Sequence, residues 1–385
     1  MKGVSTRGLK LLEFGVPLDS VGLSEEDVRF QLAKEDVQAG KAPVHVLVVN
    51  PQRKPPPHQI FPAVRSHIEG IDMLFPHLPR AALVEKLHDA VLATNFVLLS
   101  SPPFSGKTAL LTLFHGRYWA AINCVLISLN NSDPASQTLS QHGIDVFKQK
   151  CLLGDDGAMT VVMLYDSQCQ YDGKSFWTSL VEGSGSWITP NVRFVISTRH
   201  SVESEWMDCP VEFQSFKKVI MRGDLLLGDT EARRLLDLES GLPSRMRTPV
   251  VDEVIIRECA GHIGALRKFI DRVAKHFEKT FPQEQEVLVF YLSGPLVGTM
   301  GGLFGGYTAV TLTLSSELRD FLIKCFLNHS DTIPPPMEGD DRRCFTQLME
   351  EGNIAQDADS VVTFTSLLAG RCCSKYLFPK RLGQC

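Results

Sequence analysis

The residues with the clearest chemical purpose are Gly106, Lys107 and Thr108, near the middle of the string FVLLSSPPFSGKTALLTLF. There an apolar strand pattern runs into a turn of small residues and prolines, then GKT, then an amphipathic helix pattern. In that order the backbone N–H groups of the turn point inward at a helix N-terminus. The helix dipole adds to their pull on negative charge, so the string reads as a phosphate-binding loop. Ser101, Pro102, Pro103, Phe104, Ser105, Gly106, Lys107, Thr108 and Ala109 are its expected nucleotide contacts. Lys107 is expected to reach the β and γ phosphates. The Thr108 hydroxyl is expected to ligate Mg²⁺, a hard cation that prefers oxygen and keeps several waters. The pattern departs at its first position, where Ser101 stands in place of glycine.

A second strand pattern, TVVMLYD, ends in Asp166. A carboxylate there emerges at the carboxyl edge of a sheet, where open α/β sheets bind ligands, and its expected role is to hold Mg²⁺ from the second sphere. The next residue is Ser167, where a water-activating carboxylate would favour hydrolysis, so binding is better supported than turnover. A third strand, VRFVISTR, delivers Thr198 and Arg199, and a cation at that edge can touch the γ phosphate. The other reading of Arg199 is a surface arginine at a strand end. Gly261, His262 and Gly264 stand at a helix start in ECAGHIGALRKF. A lone histidine is ordinarily structural, but the flanking glycines let this one approach a nucleotide closely.

These groups need an α/β scaffold to meet, and the chain supplies its pattern. Strands at Phe96–Ser100, Cys124–Leu129, Thr160–Asp166 and Val192–Thr198 alternate with helices at Thr108–Tyr118, Gln137–Leu152 and Lys174–Glu182. That spacing predicts parallel βαβ units, and the continuous apolar character of the strands predicts burial on both faces. A helical pattern runs from Ile60 to Thr94 before the first strand. Helices over Asp229–Glu239 and Asp252–Glu278 follow the last, as a helical lid. Helices at Ser315–Leu327 and Arg343–Glu350, then short strands near Ile354 and Val361–Phe364, predict a winged-helix-like module. Ahead of all this lie a helix pattern at Ser24–Lys34, a strand at Val44–Asn50 and the proline run Pro51–His58, read as a linker.

At 385 residues the chain exceeds the roughly 100–200 of one domain. It is 44% hydrophobic and 22% charged, within the range of soluble globular proteins. A net charge of -5 gives no general attraction for nucleic acid, although KYLFPKRLGQC places Lys375, Lys380 and Arg381 beside aromatic residues. The 10 cysteines lack metal-ligand spacing and are expected to be mostly buried, reduced thiols. The first twenty residues lack the apolar core of roughly 7–15 residues that a signal peptide carries. The glycine-broken apolar stretch Val287–Leu312 is read as buried strand and loop, with no membrane span expected.

The order of phosphate loop, Asp-ended strand, STR strand, GHIG helix and closing VTFTSLLAGRCCSKYLF resembles the AAA-type and STAND-type signal-transduction ATPases over roughly residues 60–385. That resemblance implies a lid over the nucleotide carrying His262 and Gly264, with Ile263 departing from the proline common there. The N-terminal QLAK and HVLVVNP strings are similar to the ubiquitin-like translocation domain that opens the Crinkler effectors of oomycetes and some fungi. The first strands of such a domain are missing here.

The expected fold class is therefore α/β: a P-loop NTPase with a parallel sheet, a helical lid and a C-terminal winged-helix-like module, preceded by a small, partial ubiquitin-like domain of Crinkler type. The expected divisions are that partial ubiquitin-like domain at 1–51, a linker at 52–59, the NTPase core at 60–222, the lid at 223–285 and the winged-helix-like module at 286–385. The Crinkler resemblance implies secretion and action inside a host cell, including its nucleus, on an unknown host protein. Mg²⁺ with ATP or another NTP is the expected cofactor. Hydrolysis of ATP with Mg²⁺ in the host cell is the leading expectation, with Lys107, Asp166 and Arg199 as its catalytic groups. The alternative is a nucleotide-gated interaction protein without useful turnover.

Overall fold

The structure is a computed structural model, and it describes residues 71, 73, 76–199 except 131–132 and 155–156, 218–238, 246–293 except 281, 296, 314–327, and 337–378 except 357–360. The expected ubiquitin-like domain and linker lie outside these residues.

Helix α1, Ala81–Ala93, starts only after Pro79, because residues 76–80 are not helical and Arg80 takes a left-handed φ of 41°. The helical pattern expected from Ile60 is thus not continuous. Arg80 is held there by a two-point pair with Glu231, Nε and Nη2 each 3.1 Å from a carboxylate oxygen, and by the Leu225 and Leu226 carbonyls. Strand β1 (Phe96–Ser100), helix α2 (Lys107–Tyr118) and strand β2 (Asn123–Ser128) follow as the sequence predicts.

Helix α3 is short, Ala135–Gln141, and gives way to a hairpin of β3 (Ile144–Asp145) and β4 (Lys150–Cys151), where the sequence predicts a helix to Leu152. Gly143 at φ 83° stops the helix, and the Asp145 carboxylate accepts the Lys148 N–H to close the turn. Strand β5 is Thr160–Tyr165, helix α4 is Lys174–Trp177 with a wider turn continuing to Glu182, and β6 is Val192–Thr198.

Strand β7 (Val219–Ile220) completes a five-stranded sheet in the order β2-β5-β6-β1-β7, and every pairing within it is parallel. Its three central strands, β5, β6 and β1, are buried on both faces. Val97, Leu99, Val161, Met163 and Val195 pack with α1 and α2 on one side. Leu98, Val162, Leu164, Phe194 and Ile196 pack with α3, Trp177 and Leu180 on the other. The chain thus has an α/β fold whose parallel sheet and strand order are those of the P-loop NTPases.

Beyond β7 come α5 (Arg222–Leu225), α6 (Asp229–Leu238), α7 (Pro249–Cys259), α8 (Ile263–His276) and α9 (Glu284–Leu292). The long helix expected over Asp252–Glu278 is broken, because Ala260 at φ 46° and Gly261 at φ 75° close α7 and turn the chain. A Cβ on Gly261 would lie 2.6 Å from the Leu227 carbonyl oxygen, so only glycine fits. The start of the Val287–Leu312 stretch is helical in α9 rather than strand, and much of the remainder lies outside the described residues. Among those residues no helix is long and apolar enough to cross a membrane.

The last elements are α10 (Ser316–Phe326), α11 (Gly339–Glu350), the antiparallel pair β8 (Ile354–Gln356) and β9 (Val362–Phe364), and α12 (Leu367–Leu377). Helix α12 serves two cores. Leu368, Ala369 and Cys372 join the cluster of α6–α9, while Cys373 and Leu377 join that of α10, α11 and the hairpin. Arg371 adds a polar tie to the lid helices, donating to the Tyr291 carbonyl at 2.9 Å and pairing with Glu258 at 3.4 Å.

Candidate phosphate site

The loop between β1 and α2 is shaped by two left-handed residues. Phe104 has φ 59° and Gly106 φ 94°, and Gly106 leads directly into the right-handed start of α2. A left-handed residue followed by a right-handed one turns successive N–H groups toward one point, an anion-binding concavity. No side chain caps α2, and no acidic residue stands in its first turn. Its end of the dipole therefore faces the loop uncompensated. Lys107 ties the opening limb, donating to the carbonyls of Ser101 at 2.5 Å and Pro102 at 2.7 Å, and Ser105 donates to Pro102 at 2.8 Å. Those carbonyls are drawn toward the lysine.

The sheet brings the other expected groups to the same edge. Ser100 pairs in register with Thr198, and Leu164 with Ile196, so Ser101, Arg199 and Asp166 leave three adjacent strands together. Asp166 and Arg199 both lie within electrostatic reach of Cys169, whose thiol is raised mainly by burial and then by Asp166. Asp166 takes a left-handed φ of 58° as the chain leaves β5. Ser167 is fully buried, and its hydroxyl turns back to the Leu164 carbonyl. Thr198 accepts a 2.6 Å hydrogen bond from the Tyr171 hydroxyl. Among the described residues no group of three or more His, Cys, Asp or Glu side chains could hold a metal by itself.

His262 reaches the loop by a route that its sequence context does not signal. Its Nδ1 accepts the Ala265 N–H at 3.2 Å, so it caps α8 while almost wholly buried. Burial first, then the positive charges of Arg222 and Lys107, lower its pKa from 6.5 to about 4, so it is neutral at pH 7. Beside it the Gly264 N–H donates to the Phe104 carbonyl at 3.0 Å. A Cβ on Gly264 would stand 2.5 Å from the Phe104 Cβ, and one on Gly106 would stand 3.2 Å from Ile263. The start of α8 therefore sits directly on the phosphate loop.

A second contact comes from the C-terminal helices. Gly352, at φ 74° after α11, lies so close to the loop that a Cβ there would be 2.9 Å from the Pro102 Cβ and 3.0 Å from the Pro103 Cδ. Thr365 ties that turn, donating from its hydroxyl to the Gly352 carbonyl at 2.7 Å. The roles of Phe104 as an acceptor and of Gly352 as a contact emerge only from the structure. The glycines of GHIG were read as an approach to nucleotide rather than to Phe104, and the single glycine in EEGNIA gave no sign of what it would meet.

The residues present fit a Mg²⁺-bound triphosphate. The concavity and the uncapped helix suit the phosphates, Lys107 adds charge at the loop, and Thr108 in the first turn of α2 carries a hydroxyl of the kind that would ligate the metal. Asp166 supplies a carboxylate two strands away from β1.

No protein-family model and no curated protein matches the chain. Among solved structures it is similar to a Walker-type ATPase of Pyrococcus abyssi, at 13% identity and TM-score 0.49 over 77% of this chain and 95% of that one. It is also similar to the Aeropyrum pernix ORC1 protein in complex with DNA, at 12% identity and TM-score 0.41 over 80% and 95%. The Thermotoga maritima RuvB Holliday junction branch migration motor follows at 14% identity and TM-score 0.42 over 77% and 94%.

Proposed function

We propose that this chain binds Mg²⁺-ATP, or another nucleoside triphosphate, and uses it as a conformational switch. The observation that carries the reading is the Gly264 N–H to Phe104 carbonyl bond, which welds the start of the lid helix to the phosphate loop. A loop that reshapes around phosphates then changes the seat of α8. Lys107 and the α2 N-terminus would hold the phosphates, with Thr108 and Asp166 holding Mg²⁺, which neutralises phosphate charge when bound.

Switching is favoured over rapid hydrolysis because Ser167, where a water-activating carboxylate would stand, is buried against its own backbone. Hydrolysis, with Lys107 and Arg199 stabilising developing charge, is the second reading, supported by Asp166 and Arg199 sharing one sheet edge. The wider setting we propose, from the QLAK and HVLVVNP strings, is that of a secreted Crinkler-type effector acting in a host cell or its nucleus. A host protein is the proposed partner, with DNA disfavoured by net charge. Recovery of the full-length gene product only inside the producing cell would overturn that setting.

The direct test titrates the protein with a fluorescent ATP analogue, with and without Mg²⁺, and follows phosphate release on the same sample. Binding without steady release is the expected result. Steady release abolished by Asp166→Ala would replace the switch with an ATPase. Equal binding by Lys107→Met would remove this loop as the site.

A further inference from the structure

Arg222 opens α5 two residues beyond Ile220, and Ile220 pairs in register with Leu99. That places Arg222 at the level of Ser101, on one side of the phosphate-loop strand. On the other side Thr198 pairs with Ser100, which puts Arg199 at the same level. The strand that feeds the loop is thus flanked by two arginines at its carboxyl edge.

The surroundings of Arg222 are unusual for a structural arginine. Burial lowers its pKa, and no carboxylate among the described residues pairs with it. The nearest acid in sequence, Asp224, is engaged by Lys86 at 2.5 Å and by the Met221 N–H at 3.1 Å. Nη2 donates to the Thr365 carbonyl at 2.6 Å, while Nε is buried without a partner among the described residues. Arg222 and Lys107 both act on the buried His262. Two cations thus act on one neutral histidine whose helix rests on the phosphate loop. A partly buried cation without an acid is costly, and an anion that completes the pair offsets that cost.

We propose that Arg222 is a phosphate ligand of the nucleotide site, and that its bond to Thr365 makes the C-terminal module a sensor of occupancy. The inference rests on the nucleotide reading above. A guanidinium fork offers several donors in one plane, so one edge can hold the Thr365 carbonyl while another meets a phosphate oxygen. Thr365 in turn ties the Gly352 turn that packs on Pro102 and Pro103. One side chain therefore joins the ligand, the edge strand and the module.

The test measures Mg²⁺-ATP affinity and nucleotide-free melting temperature for the parent, Arg222→Met, Arg222→Lys and Lys107→Met in the full chain. Arg222→Met is expected to bind roughly tenfold to a hundredfold more weakly while melting at or above the parent temperature. A purely structural arginine would do the reverse, lowering the melting temperature with affinity kept. If Lys107→Met loses binding but Arg222→Met stays within about twofold of the parent, the Arg222 proposal falls and the nucleotide reading stands. If Lys107→Met binds like the parent, the nucleotide reading itself falls. Should the methionine variant not fold, Arg222→Lys decides. It keeps the charge but not the fork, so several-fold weaker binding supports the proposal, and parental affinity overturns it.

Discussion

His262 makes stability depend on pH in a way that can be worked out from its surroundings. Burial, then Arg222 and Lys107, hold its pKa at about 4 against 6.5 when exposed. The folded chain therefore takes up this proton at lower pH than the unfolded chain. Its contribution is complete above the unfolded value and is lost as pH falls through 6.5 toward 4. Those two values give a loss of ~2 kcal/mol between about pH 8 and about pH 5, rising to ~3 kcal/mol below the folded pKa. His262→Asn keeps an N-cap acceptor for the Ala265 N–H and cannot titrate, and asparagine is among the best residues at that position. Urea unfolding of parent and variant, run side by side across that range, should show the parent losing ~2 kcal/mol more than the variant at the acid end. Carboxylates common to both chains cancel in the difference. A difference that stays flat within ~0.5 kcal/mol would refute the assignment of burial and positive charge at this site. Saturating Mg²⁺-ATP should shrink the effect, because phosphates beside Lys107 and Arg222 offset the charge that repels the proton.

Phe104→Gly should stabilise the nucleotide-free protein by about 0.5–1 kcal/mol, because it removes a left-handed bulky residue that is 43% exposed. A lower urea midpoint would contradict that. Gly264→Ala should destabilise by about 1–3 kcal/mol, since its Cβ meets the Phe104 backbone and cannot be accommodated by a rotamer change. Gly223→Ala, whose methyl meets nothing within 4 Å, is the control and should stay within ~0.5 kcal/mol of the parent in the same denaturation assay. Gly352→Ala should cost about 1–3 kcal/mol through its left-handed φ and its contact with Pro102 and Pro103. An unchanged midpoint there would mean the turn does not rest on the loop.

The parallel sheet was legible because its strands are apolar on both faces, a signal that needs no tertiary information. Val192–Thr198 was placed to the residue for that reason. The hairpin at Ile144–Cys151 was not, because its turn depends on Gly143 and Gln149 taking positive φ, and glutamine gives no sign of that in sequence. Residues 252–278 keep helical periodicity across Ala260 and Gly261, so the helix start at GHIG competes with a continuous helix in sequence, and the Leu227 backbone against Gly261 decides for the break. Asp166 and Arg199 stand out as polar residues after apolar strands, and Lys107 as part of a strand, turn and helix string. Arg222 could not, since it follows a two-residue strand too short to carry a pattern.

The site also constrains how any switch must behave. Residues 102–104 are touched by two stretches remote in sequence, the start of α8 at Gly264 and the Gly352 turn, while Arg222 and Lys107 act electrostatically on His262 beside them. A single neutral hydrogen bond such as Gly264 to Phe104 contributes about 1 kcal/mol net, so each attachment is weak enough to be displaced. A triphosphate at a hundred times its Kd stabilises the state it prefers by about 2.7 kcal/mol, which exceeds that bond. Coupling of this kind is reciprocal. Whatever lifts the Gly352 turn from Pro102 and Pro103 must change nucleotide affinity by the factor by which nucleotide changes the affinity of the lifting partner. Gly352→Ala, whose Cβ presses on Pro102 and Pro103 from the side of the module, should therefore shift the Kd for Mg²⁺-ATP. An unchanged Kd alongside a lowered urea midpoint would show the module to be a passenger on the loop rather than its reader.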